Sequence, residues 1–200
     1  MSKKIVFLDR DGVINEFPGN GNYVTKVKEF HFIPGALEAL KRLKENGYTV
    51  FVVSNQAGVG KGIYSQEKLN HITRRMIAEV RRNGGEIKKA YYCTHTTGHG
   101  CDCRKPNIGS IRAALTLLKK PISHAAHAYF VGDTEVDVTA GKNAGCKTIF
   151  VLSGMSDRQT VLTWKVRPDF TAQDLLEATD IIFADAEKKA VSRKSNSKGS

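Results

Sequence analysis

No run in this sequence approaches the roughly 18 consecutive apolar residues that a membrane-spanning helix needs, which argues against a bilayer-embedded protein. The beginning of the chain lacks the apolar stretch of a secretory signal peptide, so a cytoplasmic location is the expectation. There are no internal repeats, which removes solenoids and propellers. Cysteine is scarce: four in 200 residues with no sign of secretion do not make a disulfide framework. Acidic residues are outnumbered, 20 against 31 Lys and Arg, for a net charge of +11. Residues 185–200 hold five Lys/Arg and two Asp/Glu, which leaves +8 on the body. A basic chain suits a nucleic acid and a phosphorylated small molecule alike, so charge separates no partners. Apolar residues are plentiful, at 40%, and suffice for one sizeable core.

The stretch that organises the rest is Lys4 to Asn15. Ile5 to Leu8 reads as a short strand buried on both faces, as in a parallel sheet, and it stops at Asp9-Arg10-Asp11-Gly12. Open α/β sheets place ligands at the carboxyl ends of such strands. An Asp there can be a nucleophile, a ligand for a hard cation, or both. Downstream, strands alternate with helices. Helices are predicted over about 36–46 (capped by Gly47), 66–82, 108–118 and 136–144, and strands over 48–53, 87–92, 128–131 and 147–152. Thr171-Ala172-Gln173-Asp174 resembles a cap opening a last helix to about Phe183. The pattern predicts a doubly wound parallel α/β sheet with helices on both faces. The domain is expected over residues 1–184, with 185–200 a basic, disordered tail.

Three strands end in polar residues: Asp9/Asp11, Ser54/Asn55, and Asp133 with Asp137 nearby. One edge of a parallel sheet gathers them, and Lys105 precedes a helix that can join them. This inventory suits phosphoryl transfer. A phosphate dianion approaches two carboxylates only if a divalent cation and a lysine offset the repulsion. Separately, Cys93, His95, Cys101 and Cys103 supply three sulfurs and one nitrogen, a set that fills a tetrahedral Zn²⁺ site and leaves no open position, so the metal would be structural. His99 competes with His95 for the fourth place. Arg104-Lys105 follow the last cysteine directly, so zinc would fix the loop that delivers Lys105. Trp164 reads as packing, and Cys146 as a small buried hydrophobe.

Over about residues 4–152 these features resemble the haloacid dehalogenase (HAD) superfamily of phosphatases: Asp9-x-Asp11-Gly12, Ser54, Lys105, and Gly132-Asp133-x-x-x-Asp137. The resemblance implies that Asp9 attacks phosphorus to form an aspartyl-phosphate and that Asp11 is the general acid and base. It implies that Asp9, the backbone carbonyl of Asp11 and Asp133 bind Mg²⁺, with Asp137 outside them. The zinc loop ending in Cys101-x-Cys103-Arg104-Lys105-Pro106 is similar to that of a subgroup without a large cap domain, the D-glycero-D-manno-heptose 1,7-bisphosphate 7-phosphatases and histidinol-phosphatases. The run Ser54 to Gly62 and the lead-in Tyr23 to Gly35 resemble the heptose enzymes more, while the five-residue interval from His95 to Cys101 resembles the histidinol enzymes. The subgroup implies that Ser54, Asn55, Gln56, Ala57, Arg104 and Lys105 line the substrate site and that Phe17 to Asn20 border it. A heptose bisphosphate is the expected substrate, histidinol phosphate the alternative, and a DNA 3′-phosphate a more distant one. A DNA substrate lacks support from any aromatic stacking platform. The expected partner is thus a small phosphorylated metabolite acted on by a monomer, with no membrane and with nucleic acid only as the more distant alternative.

Elemental analysis is expected to find one zinc per chain, and active protein without zinc would refute the loop's assignment. Mild EDTA should remove activity reversibly, with Mg²⁺ restoring it, because Mg²⁺ keeps several waters and exchanges freely.

Overall fold

The computed structural model describes residues 4–196. The chain runs β1 (Lys4–Leu8), α1 (Ala36–Glu45), β2 (Tyr48–Asn55), α2 (Ala57–Gly60), α3 (Gln66–Arg82), β3 (Lys89–Cys93), α4 (Gly109–Leu117), β4 (Ala128–Gly132), α5 (Glu135–Ala144), β5 (Lys147–Val151), α6 (Arg158–Val161), β6 (Phe170–Ala172) and α7 (Leu175–Asn196). All strand pairs are parallel, in the order β3-β2-β1-β4-β5-β6. The order reverses between β1 and β4, the place where an open α/β sheet leaves a crevice at its carboxyl edge.

Alternation along the strands sets the two faces. Val6, Leu8, Val50, Val52, Val131 and Ile149 meet Leu40 and Leu43 of α1, Met76 and Val80 of α3, and Leu175 and Ile182 of α7. Ile5, Phe7, Phe51, Val53 and Phe130 face Ile111 and Leu115 of α4 and Ala144 of α5. On that second face the ring of Phe7 lies between Phe51 and Phe130, with centroids 5.9 and 6.3 Å away. Burial on both faces is why these strands read as unbroken apolar runs. No domain is inserted between these elements among the described residues, as expected without a large cap. No helix among them is long and apolar enough to cross a membrane.

The structure departs from the sequence reading in a few places. Thr171 and Ala172 form part of β6, paired with Phe150 and Val151, and leave Asp174 to cap α7 through the amides of Leu176 and Glu177. A three-residue strand offers too few positions for alternation to register. α7 continues to Asn196 instead of stopping near Phe183, through residues expected to be tail. Two residues past Phe183, Asp185 accepts from the Tyr129 hydroxyl at 2.5 Å and from Lys147 Nζ at 2.6 Å, which ties this part of the helix to β4 and β5. Residues 197–200 of the expected tail lie outside the described residues. β2 runs on to Asn55, and β3 begins at Lys89 rather than Ile87.

Phe7 is fully buried at the centre of the second face. Phe7→Ala is expected to lower unfolding free energy by about 3–5 kcal/mol, the usual cost of emptying an aromatic core position, measured by urea denaturation.

Candidate active site

β1 ends at the switch point, and the chain keeps its ladder for one more residue: Asp9 N donates to Val131 O at 2.9 Å. That bond sets the first carboxylate on a rigid strand end beside β4. β4 ends in Gly132-Asp133, and α5 starts at once behind it. Asp137, in the first turn of α5, accepts from Thr134 N and Thr134 Oγ1, so it caps its own helix. Its other oxygen accepts from Lys105 Nζ at 2.6 Å, and Lys105 Nζ also donates to Asp9 Oδ1 at 2.8 Å. Asn55 brackets the lysine's backbone, donating to Lys105 O and accepting from Lys105 N. Asp137 therefore positions the lysine as well as its helix.

Carboxylate oxygens of Asp9, Asp133 and Asp137 lie within 4.8 Å of one another. One ammonium among three buried carboxylates leaves excess negative charge, and a small divalent cation with oxygen ligands would neutralise it. The titration behaviour agrees. Burial pushes the Asp9 carboxyl up to about 6, outweighing Lys105, and Asp137 adds to the rise. Burial, then Asp137 and Asp9, hold Asp133 well above the usual carboxylate range. Burial alone would lower Lys105, but Asp137 and Asp9 outweigh it and keep the lysine above its ordinary value.

Asp133 is held from its far side. Its Oδ2 accepts from Met155 N at 2.7 Å, and Ser153 Oγ donates to Gly12 O at 2.7 Å. Both neighbours must be glycine. A Cβ on Gly154 would stand 2.1 Å from Asp133 Oδ2, and one on Gly12 (φ +82°) would stand 2.4 Å from it.

Asp11 is held differently. Arg10 grips it with Nε and Nη2, Asn15 Nδ2 donates at 2.9 Å, and Gln56 Nε2 donates at 2.8 Å. Arg10 is fully buried with its guanidinium over the Tyr92 ring. Arg10, Asn15 and Tyr92 have no part in the sequence reading of the site, whereas Gln56 is expected there on the substrate side. The signal was present in an arginine set between two aspartates at a buried strand end.

A cavity of about 470 Å³ opens above Asp9, Asp11, Ser54, Asn55, Arg104, Lys105 and Asp133. Phe17, Pro18, Tyr23, Val136, Met155 and Trp164 form its apolar rim. Trp164 does pack, edge-on against Phe150, and its role on the rim was missed. Gln56 and Ala57, expected to line the substrate site, are instead buried, and Gln56 turns its amide to Asp11.

The second cluster lies beside this cavity. Cys101 Sγ stands 3.6 Å from Cys93 Sγ and 3.5 Å from Cys103 Sγ, while His95 Nδ1 is 3.7 and 3.4 Å from Cys93 and Cys103. A tetrahedron with metal–sulfur bonds of about 2.3 Å has edges of about 3.8 Å, so the four groups can hold a metal ion. His95 and not His99 faces the sulfurs; His99 stacks on the His95 ring at 4.2 Å. Backbone atoms of the loop are tied down too: Gln56 N donates to Cys93 O, Asn107 Nδ2 to Cys101 O and Arg104 Nη1 to His95 O.

A doubly wound sheet with an Asp pair, an acidic β4 end and a buried lysine at its switch point defines a HAD-type phosphohydrolase. A HAD-hydrolase-like family model matches residues 102–178. The D-glycero-β-D-manno-heptose-1,7-bisphosphate 7-phosphatase of Pseudomonas putida is 36% identical over 155 residues, 78% of this chain and 86% of that protein. The enzyme of the same name from Vibrio cholerae is 39% identical over 162 residues, covering 77% and 84%. The crystal structure of a D,D-heptose 1,7-bisphosphate phosphatase from B. bronchiseptica, complexed with magnesium and phosphate, superposes with a TM-score of 0.82 at 29% identity, covering 91% of this chain and 99% of that one. The chain belongs to the heptose-bisphosphate phosphatase family of HAD-like hydrolases.

A carboxyl raised in the folded state binds its proton more tightly there than in the unfolded chain. Its contribution to stability is therefore lost as pH rises from 3.8 to about 6. Without metal, Asp9→Asn is expected to melt above wild type at pH 7, with the gap closing at pH 4; thermal melts across pH measure it. Millimolar Mg²⁺ should raise the melting temperature of wild type and not that of Asp133→Asn.

Proposed function

We propose that this protein is a Mg²⁺-dependent phosphatase that removes the 7-phosphate of D-glycero-β-D-manno-heptose 1,7-bisphosphate through an aspartyl-phosphate. The observation that carries the reading is the meeting of Asp9, Asp11, Asp133 and Lys105 in one cavity at the sheet's switch point. Asp9 attacks phosphorus from its fixed place on β1. Asp11 gives a proton to the departing sugar oxygen, then takes one from the water that opens the aspartyl-phosphate. Ser54 Oγ and Lys105 Nζ hold the transferring phosphoryl oxygens, and the lysine leaves Asp9 Oδ1 to do so. Asp9, Asp133 and the Asp11 carbonyl would hold Mg²⁺, which when bound offsets charge on the phosphoryl group. Zinc in the Cys93, His95, Cys101, Cys103 site would be structural and keep Arg104 and Lys105 at the cavity.

The substrate follows from the rim and the relatives. Relatives at 35–39% identity carry the β-anomer in their names, and one named for the α-anomer, from Photorhabdus laumondii, is 31% identical. Arg104 brings a cation to the cavity for a second anionic group. Glu16, the carboxylate that a positively charged histidinol amine would want, is exposed and lines a neighbouring cavity.

Side-by-side kcat/KM on the two heptose bisphosphate anomers and on histidinol phosphate tests the assignment. The β-anomer is expected to be preferred, Asp9→Asn to be inactive, and Arg104→Ala to lower bisphosphate turnover roughly ten- to hundredfold, the scale of a lost charge-assisted pair. Preference for histidinol phosphate would overturn the substrate, and an active Asp9→Asn the mechanism.

A further inference from the structure

The loop after β5 reaches the active cavity at Met155 and Ser156, and the residues before Ser156 are held against the strand ends. Ser153 Oγ donates to Gly12 O at 2.7 Å, a Cβ on Gly154 would overlap Asp133, and Met155 N donates to Asp133 Oδ2 at 2.7 Å. Ser156 follows directly, so its place is set by the same carboxylate. It is 9% exposed and lines the cavity, yet its hydroxyl bonds to no group among the described residues. Other hydroxyls of this loop are engaged: Ser153 with Gly12 O, Thr160 with Asp157, and Thr163 with Thr160 O. Among the described residues, the fully enclosed side-chain polar atoms without a partner are Arg10 Nη1 and Asn15 Oδ1. Ser156 Oγ is outside that set, so the cavity reaches it. A hydroxyl this deeply placed is costly unless something in the cavity bonds to it.

Sheet order and charge say which part of a ligand Ser156 meets. Ser54 on β2 and the cysteine loop after β3 lie to one side of β1, and β4 and β5 lie to the other. The cations of the cavity, Arg104 and Lys105, come from the first side. From the second side, beyond Asp133 and Asp137, the lining is Thr134, Glu135, Val136, Met155, Ser156 and Trp164. Thr134 Oγ1 is spent on Asp137, and Glu135 Oε1 accepts from Lys165 N at 2.6 Å. Ser156 is therefore the open neutral hydroxyl on that side. Glu135 brings a carboxylate there, which disfavours an anionic group. A polyhydroxylated carbon chain suits it: apolar side chains cover C–H faces, and a serine hydroxyl donates or accepts as a sugar hydroxyl requires.

We propose that Ser156 is a specificity-determining residue that hydrogen-bonds a hydroxyl of the sugar, from the side of the cavity opposite Arg104. This rests on the cavity taking a sugar phosphate, as proposed above. The transferring phosphoryl group lies over Asp9, the second anionic group turns to Arg104, and the uncharged sugar between them presents an edge to Ser156. A phosphate ester with no hydroxyl at that point leaves Ser156 unpaired when it binds. That is the penalty by which a pocket built to bond a hydroxyl rejects an analogue lacking it.

The test compares two phosphate esters. p-Nitrophenyl phosphate carries the same transferable group and no hydroxyl, so it reports on the chemistry without the proposed contact. Ser156→Ala removes one oxygen. It is expected to raise KM for the heptose bisphosphate about three- to tenfold, the scale of one neutral hydrogen bond, with kcat and p-nitrophenyl phosphate turnover unchanged. Mono-deoxy analogues of the heptose bisphosphate then identify the partner. With wild type one of them should already show about the same loss, and Ser156→Ala should add nothing to it. Equal losses on both esters, no loss on either, or a loss that adds to that of every deoxy analogue would each overturn the proposal. Should Ser156→Ala fail to fold in a thermal melt, Ser156→Cys, a much weaker donor, is expected to show the same split. Wild type that turns over p-nitrophenyl phosphate with Mg²⁺ but not the heptose bisphosphate would refute the substrate reading instead. That outcome is distinct from a wild type active on both whose variants show no split.

Discussion

The Lys105 ammonium, shared between Asp9 and Asp137, is the contact on which the rest of the site depends. It joins three separate pieces of chain: the end of β1, the first turn of α5 and the loop before α4. All three side chains are almost wholly withdrawn from water, so each charge relies on the others. Removing the lysine would strand both carboxylates, and losing the partner of a buried charge typically costs about 3–5 kcal/mol. The triad still carries surplus negative charge, and burial together with the charge of Asp137 makes the Asp9 carboxyl resist ionisation. Stability and chemistry therefore make opposite demands here, which a bound divalent cation would reconcile.

The cysteine loop serves the same contact from the other side. Lys105 lies two residues beyond Cys103, and Asn55 grips its backbone from both directions. Gln56 belongs to both systems, since its backbone N–H reaches Cys93 O while its side chain reaches Asp11. The cysteine loop, β2 and Asp11 are thus joined through a single position. An enzyme without a large cap has no moving domain to order its site on closure, and fixed cross-links of this kind take over that task.

Much of this could be read from residue order, and the exceptions have physical causes. β1, β2, β4 and β5 are central strands, so their apolar runs and polar ends announced themselves, and with them Asp9, Asp11, Ser54 and Asp133. The cluster of Cys93, His95, Cys101 and Cys103 was legible because its two close pairs have the spacing a chelating set needs. Deciding between His95 and His99 was harder, since both fall in the loop and only geometry turns one ring toward the sulfurs. β6 was invisible because three residues show no alternation. The passage of α7 beyond Phe183 was hidden because Asp185 is anchored by Tyr129 and Lys147, partners distant in sequence. Gln56 was expected on the substrate side because it follows Ser54 and Asn55. It lies behind the site because Asp11 and Tyr64 draw its amide inward.

The glycines at positions 12 and 154 carry a consequence for how this scaffold can diversify. Asp133 fills the space where their side chains would be, so neither site can accept even a methyl group without moving the carboxylate. The rim a few residues away, at Phe17, Tyr23, Val136, Met155 and Trp164, meets no such limit and is built from loops and helix ends. Mutational tolerance therefore rises steeply over one or two side-chain lengths. A lineage of such enzymes can exchange one phosphate ester for another by rewriting the rim, while the machinery beneath it stays constant by steric necessity.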